Sequence, residues 1–123
     1  RYDTLNLSLL DFLQLIVDKC EINNTKLSFC GEDAGRPVEA LCLAAIGIKT
    51  LSMRPASIGP VKNILLKSDL GAVKKIIDKA RIDGETSIRK IIIQYMASIL
   101  NKLNNKIQFF YWTMVPHYPI KTS

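Results

Sequence analysis

The chain's 123 residues give room for one modest domain and too little for two ordinary ones. Hydrophobic residues make up 48% and charged residues 23%, with only 6 Gly and 5 Pro, which excludes disordered, collagenous and disulfide-scaffold chains and predicts a packed core. The net charge of +6 is uneven: residues 1–35 hold three Lys/Arg against six Asp/Glu, which leaves fourteen against five for the rest.

That basic excess is spread as single Lys or Lys-Lys steps along predicted helices. It lacks the clustered Arg and interleaved aromatics of a nucleic-acid groove, so solvated helix faces are expected and nucleic acid is not an expected partner. No uninterrupted apolar run reaches the roughly 18 residues that cross a bilayer, and the first ten residues lack the cationic-then-apolar order of a signal peptide. No membrane association and a cytoplasmic location are therefore expected.

In chain order, Leu9, Phe12, Leu13, Ile16, Val17 and Cys20 recur at helical spacing opposite Asp11, Gln14, Asp18 and Lys19. This predicts an amphipathic helix over 8–22, stopped by Asn23-Asn24. Lys26 to Cys30 alternates as a short strand. The loop Gly31-Glu32-Asp33-Ala34-Gly35-Arg36-Pro37 follows, its proline suited to the first turn of a helix. Val38 to Ile46 is that helix, with Gly47 as its cap, and Lys49 to Met53 is a second strand. A loop over Pro55 to Gly59 leads to a helix opened by Pro60 and running to about Lys67. Asp69 caps a further helix from Leu70 to about Ala80. After Asp83-Gly84, Ser87 caps a last long helix with Ile88, Ile91, Ile92, Tyr95, Met96, Ile99, Leu100 and Leu103 inward.

Strands alternating with helices predict parallel strand-helix units of an α/β fold, in which chemistry sits on the loops at the carboxyl ends of strands. Those loops are Cys30 to Arg36 and Ser52 to Gly59. Two strands do not make a sheet with two covered faces, and a barrel of such units takes eight of them and about 250 residues. The expectation is part of something larger.

Cys20, Cys30 and Cys42 are an odd number at irregular spacing, with His117 the only histidine, which supports neither a disulfide framework nor a zinc site. Cys20 and Cys42 fall on apolar helix faces and read as core. Cys30 is open to two readings. It is either a small buried hydrophobe or a group facing a cleft from the end of a strand.

The run Ser28-Phe29-Cys30-Gly31-Glu32-Asp33-Ala34-Gly35-Arg36-Pro37, with Gly47-Ile48-Lys49-Thr50-Leu51-Ser52-Met53-Arg54-Pro55-Ala56-Ser57-Ile58-Gly59-Pro60-Val61-Lys62 after it, resembles the carboxyl-terminal barrel of the phosphoenolpyruvate-utilising enzymes. Cys-Gly-Glu-x-Ala-Gly and Leu-Ser-Met at this separation are a specific pair. Within the superfamily the likeness is nearest to the phosphoenolpyruvate-protein phosphotransferases, the enzyme I family. Ile58 to Lys62 and Ser28-Phe29 point to its nitrogen-regulatory paralogues. The resemblance covers about residues 2–70 well and 85–100 loosely.

The resemblance implies the last strand-helix units of an incomplete (β/α)8 barrel over residues 1–84, a C-terminal helix over 85–103 and an unmatched tail over 104–123. It implies phosphoryl transfer from phosphoenolpyruvate to a protein histidine in the phosphotransferase system. Phosphoenolpyruvate and pyruvate would be the small-molecule partners and a phosphocarrier protein the macromolecular one, in an enzyme that pairs as a homodimer. Cys30 falls on the family's cysteine, which implies the proton donor to the methylene carbon of enolpyruvate and the base in reverse. An ordinary thiol, of pKa about 8.5, carries its proton at neutral pH and suits that role. Gly31 and Gly35 would let backbone approach the substrate and Glu32 would hold the loop.

Asp33 stands where the motif usually has a hydrophobic residue, and Arg54 where the family more often has a small one. The phosphohistidine domain, the arginines that grip phosphate and carboxylate, and the Mg2+ ligands are expected upstream of the first residue. Arg1 matches the residue before the family's tyrosine, here Tyr2, and is not one of those arginines; His117 is not the phosphohistidine. Without a phosphate clamp or metal, the isolated piece is expected to be inactive. The alternative is a non-catalytic dimerisation or interaction remnant, with the last helix and Phe109-Phe110-Tyr111-Trp112 as apolar surface.

Overall fold

A computed structural model of the chain describes Asp3 and residues 5–114. Arg1, Tyr2 and His117 lie outside the described residues, as do the side chains of the aromatic run 109–112. The fold is α/β and mostly helical: α1 (Leu7–Ile22), β1 (Ser28–Cys30), a 3-10 turn (Asp33–Gly35), α2 (Pro37–Ala45), β2 (Thr50–Ser52), α3 (Pro55–Lys67), α4 (Leu70–Ile82) and α5 (Arg89–Met114).

Local chemistry sets most of these bounds. Asn6 Oδ1 accepts from the Ser8 amide at 2.8 Å and starts α1, and Asp69 Oδ1 accepts from Gly71 and Ala72 and starts α4. Pro37 and Pro55 each stand in the first turn of their helices, where a missing N–H costs nothing. Gly47 ends the α2 turn at φ +110°, a backbone that favours glycine, and Val17 lies against the place where a side chain would begin.

Several expectations shift, among them Leu100, expected inward on α5 and 46% exposed. The helix expected from Pro60 starts at Pro55, so the predicted loop over Pro55 to Gly59 is helical and Pro60 lies inside it. Two prolines can each open a helix, and the chain uses the first; Pro60, on an exposed face, gives up one hydrogen bond of the interior. The buried stripe of α1 is also rotated. Leu7, Leu10 and Val17 are buried, while Phe12 is 58% exposed. Apolar residues occupy more of this helix than one stripe can bury, so packing partners decide which of them go inside.

β1 and β2 pair in parallel, with Ser28 opposite Thr50, Phe29 opposite Leu51 and Cys30 opposite Ser52, and α2 makes the crossover between them. Phe29 and Leu51 turn toward the helices and pack against the core. Ser28, Cys30, Thr50 and Ser52 are exposed on the other face. The helical side is closed around α2, whose Ala40, Leu41, Cys42 and Leu43 are fully buried and which packs against α3, α4 and α5.

The N-terminal segment is fastened to the start of α5. The Leu7 amide donates to the Thr86 carbonyl at 3.0 Å, the Ile88 amide donates to the Leu5 carbonyl at 3.2 Å, and Leu5 is fully buried. Asp3 Oδ1 accepts from Arg89 Nη2 at 2.7 Å. α5 continues past Leu103 to Met114.

Candidate functional site at the carboxyl ends of the strands

β1 delivers Cys30 as its last residue, exposed and directly across the ladder from Ser52. The chain then leaves the sheet through Gly31 at φ +133°, a region L side chains rarely adopt, so this position needs glycine. The 3-10 turn follows and lies against the first turn of α3. A Cβ on Gly35 would stand 2.9 Å from Ser57 Oγ and 3.0 Å from Ser57 Cβ, closer than side chains pack. Gly35 is therefore what lets the two loops meet.

Where they meet, a cavity of about 530 Å3 opens at the carboxyl ends of both strands. Gly31, Glu32, Gly35 and Arg36 line it from the first loop, and Ser52, Met53, Arg54 and Ser57 from the second. Of the residues singled out in the sequence, Gly31, Glu32 and Gly35 are in its wall. Cys30 is not; it sits one residue earlier, on the open face of the sheet. Arg36 reaches Glu32 and Asp33, each at 3.6 Å, as open surface pairs of small energetic value. The Arg54 side chain makes no ion pair among the described residues and is exposed.

Arg36 and Arg54 were the functional candidates least visible in the sequence. The signal that marks them is local: each is the N-cap residue of a helix that follows a strand, and each precedes a proline, in Arg36-Pro37 and Arg54-Pro55. Neither helix has a side-chain cap; Pro37 and Pro55 carry no N–H, and the Ser57 amide donates to the Arg54 carbonyl at 2.9 Å.

The other cysteines are placed for packing. Cys42 is fully buried, and burial, reinforced by the negative charge of Glu39, pushes its thiol up to about 12. Cys20 is half-buried on α1. Glu39 itself is 2% exposed, with Arg89 Nη1 at 2.8 Å from its Oε1. That oxygen has no aligned hydrogen bond, so the contact is one of charge proximity. Among the described residues, no group of three or more His, Cys, Asp or Glu side chains comes together as a metal site. No described helix is long and apolar enough to cross a membrane.

Adjoining the cavity, with Ser52 and Met53 common to both walls, a groove of about 790 Å3 runs beside β2, walled mainly by Leu51, Met53, Ile58, Val61, Leu65 and Leu66. Ile58 and Leu66 are exposed in it, and α1 exposes Phe12 and Leu15.

A family model described as PEP-utilising enzyme, PEP-binding domain, matches residues 1–70. The chain is 27% identical over 92 residues to a phosphoenolpyruvate-protein phosphotransferase of Mycoplasma genitalium, a match covering 74% of this chain and 16% of that protein. It is 30% identical over 96 residues to an Escherichia coli protein named phosphoenolpyruvate-dependent phosphotransferase system, covering 77% of this chain and 13% of that protein. A Salmonella typhimurium protein of the same name is 35% identical over 68 residues, 55% of this chain and 9% of its own length. The chain thus spans about one-sixth or less of these relatives. No solved structure matches it at comparable significance.

Proposed function

The chain belongs to the family of PEP-utilising enzymes, in the part described as their PEP-binding domain, and on that premise we propose that it is a portion of a phosphoenolpyruvate-protein phosphotransferase. The reaction is transfer of the phosphoryl group of phosphoenolpyruvate to a protein histidine, and then to a phosphocarrier protein, in the cytoplasm. This reading takes residues 1–84 as the last strand-helix units of a (β/α)8 barrel, 85–103 as the terminal helix and 104–123 as a tail.

The barrel assignment draws support from what the sheet leaves uncovered. All-parallel sheets occur almost only with both faces covered, and an unpaired strand edge is a ready template for a further strand. Among the described residues both outer edges of a two-stranded sheet are unpaired and its small polar residues face outward, as the lining of a barrel would.

The observation that carries the chemistry is Cys30, an exposed thiol at the carboxyl end of β1, immediately before the glycine turn that walls the cavity. Loss of the phosphoryl group from phosphoenolpyruvate leaves enolpyruvate, whose methylene carbon takes a proton to give pyruvate. Cys30 Sγ–H donates that proton, and the resulting thiolate recovers one from solvent or, in reverse, from the pyruvate methyl group. Gly31 and Gly35 admit the substrate close to backbone, and Glu32 borders it. Magnesium does not fit the described residues, because no carboxylate set converges on the cavity. Its ligands belong to the remainder of the enzyme, so no step is assigned to it here.

Pyruvate release from phosphoenolpyruvate tests this reading. The chain alone should release none. Mixed with the remaining portion of a phosphotransferase as a separate polypeptide, it should support release that Cys30→Ala lowers by roughly 10²-fold or more. Turnover by the chain alone, or full activity of the Cys30→Ala mixture, would refute it.

A second reading is a non-catalytic module that pairs with another barrel or another copy. The groove beside β2 and the exposed Phe12 and Leu15 favour it. A dimeric mass in light scattering, with a reconstituted mixture that stays inactive, would select it over the first.

A further inference from the structure

We infer that Arg36 and Arg54 act together as an anion clamp on the cavity, holding the phosphate or carboxylate end of a small anionic substrate. The identity of that substrate as phosphoenolpyruvate rests on the reading above, whereas the clamp itself rests on the cavity. Both guanidinium-bearing residues line one concavity of about 530 Å3, a volume suited to a small metabolite. The hydroxyl residues Ser52 and Ser57 share the wall. At Gly31 a side chain would meet nothing within 4 Å, which leaves ligand room near backbone, whereas at Gly35 that space is taken by Ser57.

The charge arrangement favours an anion. Arg54 has no ion pair among the described residues, so its positive charge is uncommitted. Arg36 is shared with Glu32 and Asp33 only at 3.6 Å and in solvent, pairs that a phosphate presenting charge-assisted hydrogen bonds displaces at little cost. A guanidinium offers two parallel N–H donors to a phosphate or carboxylate, which a lysine cannot. Glu32 is the opposing element: its carboxylate borders the same cavity and competes with the ligand for Arg36.

The test is a titration of the full 123-residue chain with phosphoenolpyruvate, with inorganic phosphate and with pyruvate, followed by NMR shifts of the Gly31, Gly35 and Ser57 amides. Phosphoenolpyruvate and phosphate should both move these amides, with affinity that weakens as salt rises. Arg54→Ala should weaken both by roughly tenfold and Arg54→Lys by less. Glu32→Gln should tighten them about twofold, an effect that a merely structural Glu32 would not produce. Lys62→Ala, which alters a cation outside the cavity, should change neither. Circular dichroism of each variant verifies that it is folded.

Unaltered binding in Arg54→Ala, or no response of these amides to either phosphate compound, overturns the clamp. Arg54-dependent binding of phosphate with no preference for phosphoenolpyruvate keeps the clamp and refutes the substrate assignment. Cys30-dependent pyruvate release with binding indifferent to Arg54 does the reverse.

Discussion

The two sides of the α/β unit are built on opposite terms. On the helical side, α2 carries four consecutive fully buried residues, Ala40 to Leu43, and is enclosed by α3, α4 and α5. On the strand side, Ser28, Cys30, Thr50 and Ser52 stand in solvent on a sheet of two strands whose outer edges are unpaired. The closed side buries a continuous apolar core, and Arg81 and Arg89 at its margin are paired with Asp11, Asp78 and Asp3. The open side leaves one sheet face and both outer strand edges, among the described residues, to solvent, where a parallel sheet ordinarily has its faces covered. Packing is therefore concentrated on one side, and the cavity lined by Gly31, Glu32 and Gly35 opens at the strand ends of the other.

The strongest way to break this comparison is to hollow the closed side. Leu41→Ala removes a fully buried side chain from α2 and should cost about 3 kcal/mol, read as a lower urea midpoint with an unchanged slope. A loss below about 1 kcal/mol would mean that α2 is not the packing centre.

A smaller effect is expected where the two sides join. Gly35→Ala places a Cβ 3.0 Å from Ser57 Cβ and should cost about 1 kcal/mol by pushing the 3-10 turn away from α3. The same change should reduce phosphate binding at the cavity more than it reduces stability. Combining it with Ser57→Gly should restore part of both, and an absence of coupling in that double-mutant cycle would place the strain elsewhere.

The smallest effect is a pH dependence from the charges at the margin of the closed side. A hydrogen bond from Arg89 is the largest influence on Asp3 and holds its carboxyl below the ordinary 3.8. At Asp78 burial opposes ionisation, but hydrogen bonds from Lys74 and Arg81 outweigh it and the carboxyl is again lowered. With folded-state values depressed, the unfolded chain takes up protons first as the pH falls. The stability from these pairs is thus fully present above about pH 5, declines through the ordinary carboxylate range and is gone below the folded-state values. Because both carboxylates are substantially exposed, the decline should be modest. Asp3→Asn with Asp78→Asn should flatten it, and an unchanged acid limb in that variant would assign acid sensitivity to other groups.

Much of this molecule was legible in the sequence because short-range physics decides it. Asp69 and Pro37 act on the first turns that follow them, so α4 and α2 begin where the residues say, while the Asn6 cap that starts α1 at Leu7 was not among the sequence expectations. The Gly31 and Gly35 loop was likewise readable, since φ +133° and a 2.9 Å approach are demands only glycine meets. Where two residues offered the same local signal, as Pro55 and Pro60 did for α3, the choice lay outside the sequence window.

What the sequence by itself determined was the alternation of strands and helices, the position of Cys30 at a strand end and the family to which residues 1–70 belong. Tertiary structure alone decided which stripe of α1 is buried, that Asp3 reaches Arg89 across the chain, and that Arg36 and Arg54 line one cavity. The reason is range. Caps, turns and periodicity act over a few residues, whereas convergence of side chains eighteen or eighty-six positions apart depends on how whole elements pack, and packing is settled by the sum of contacts rather than by any local pattern.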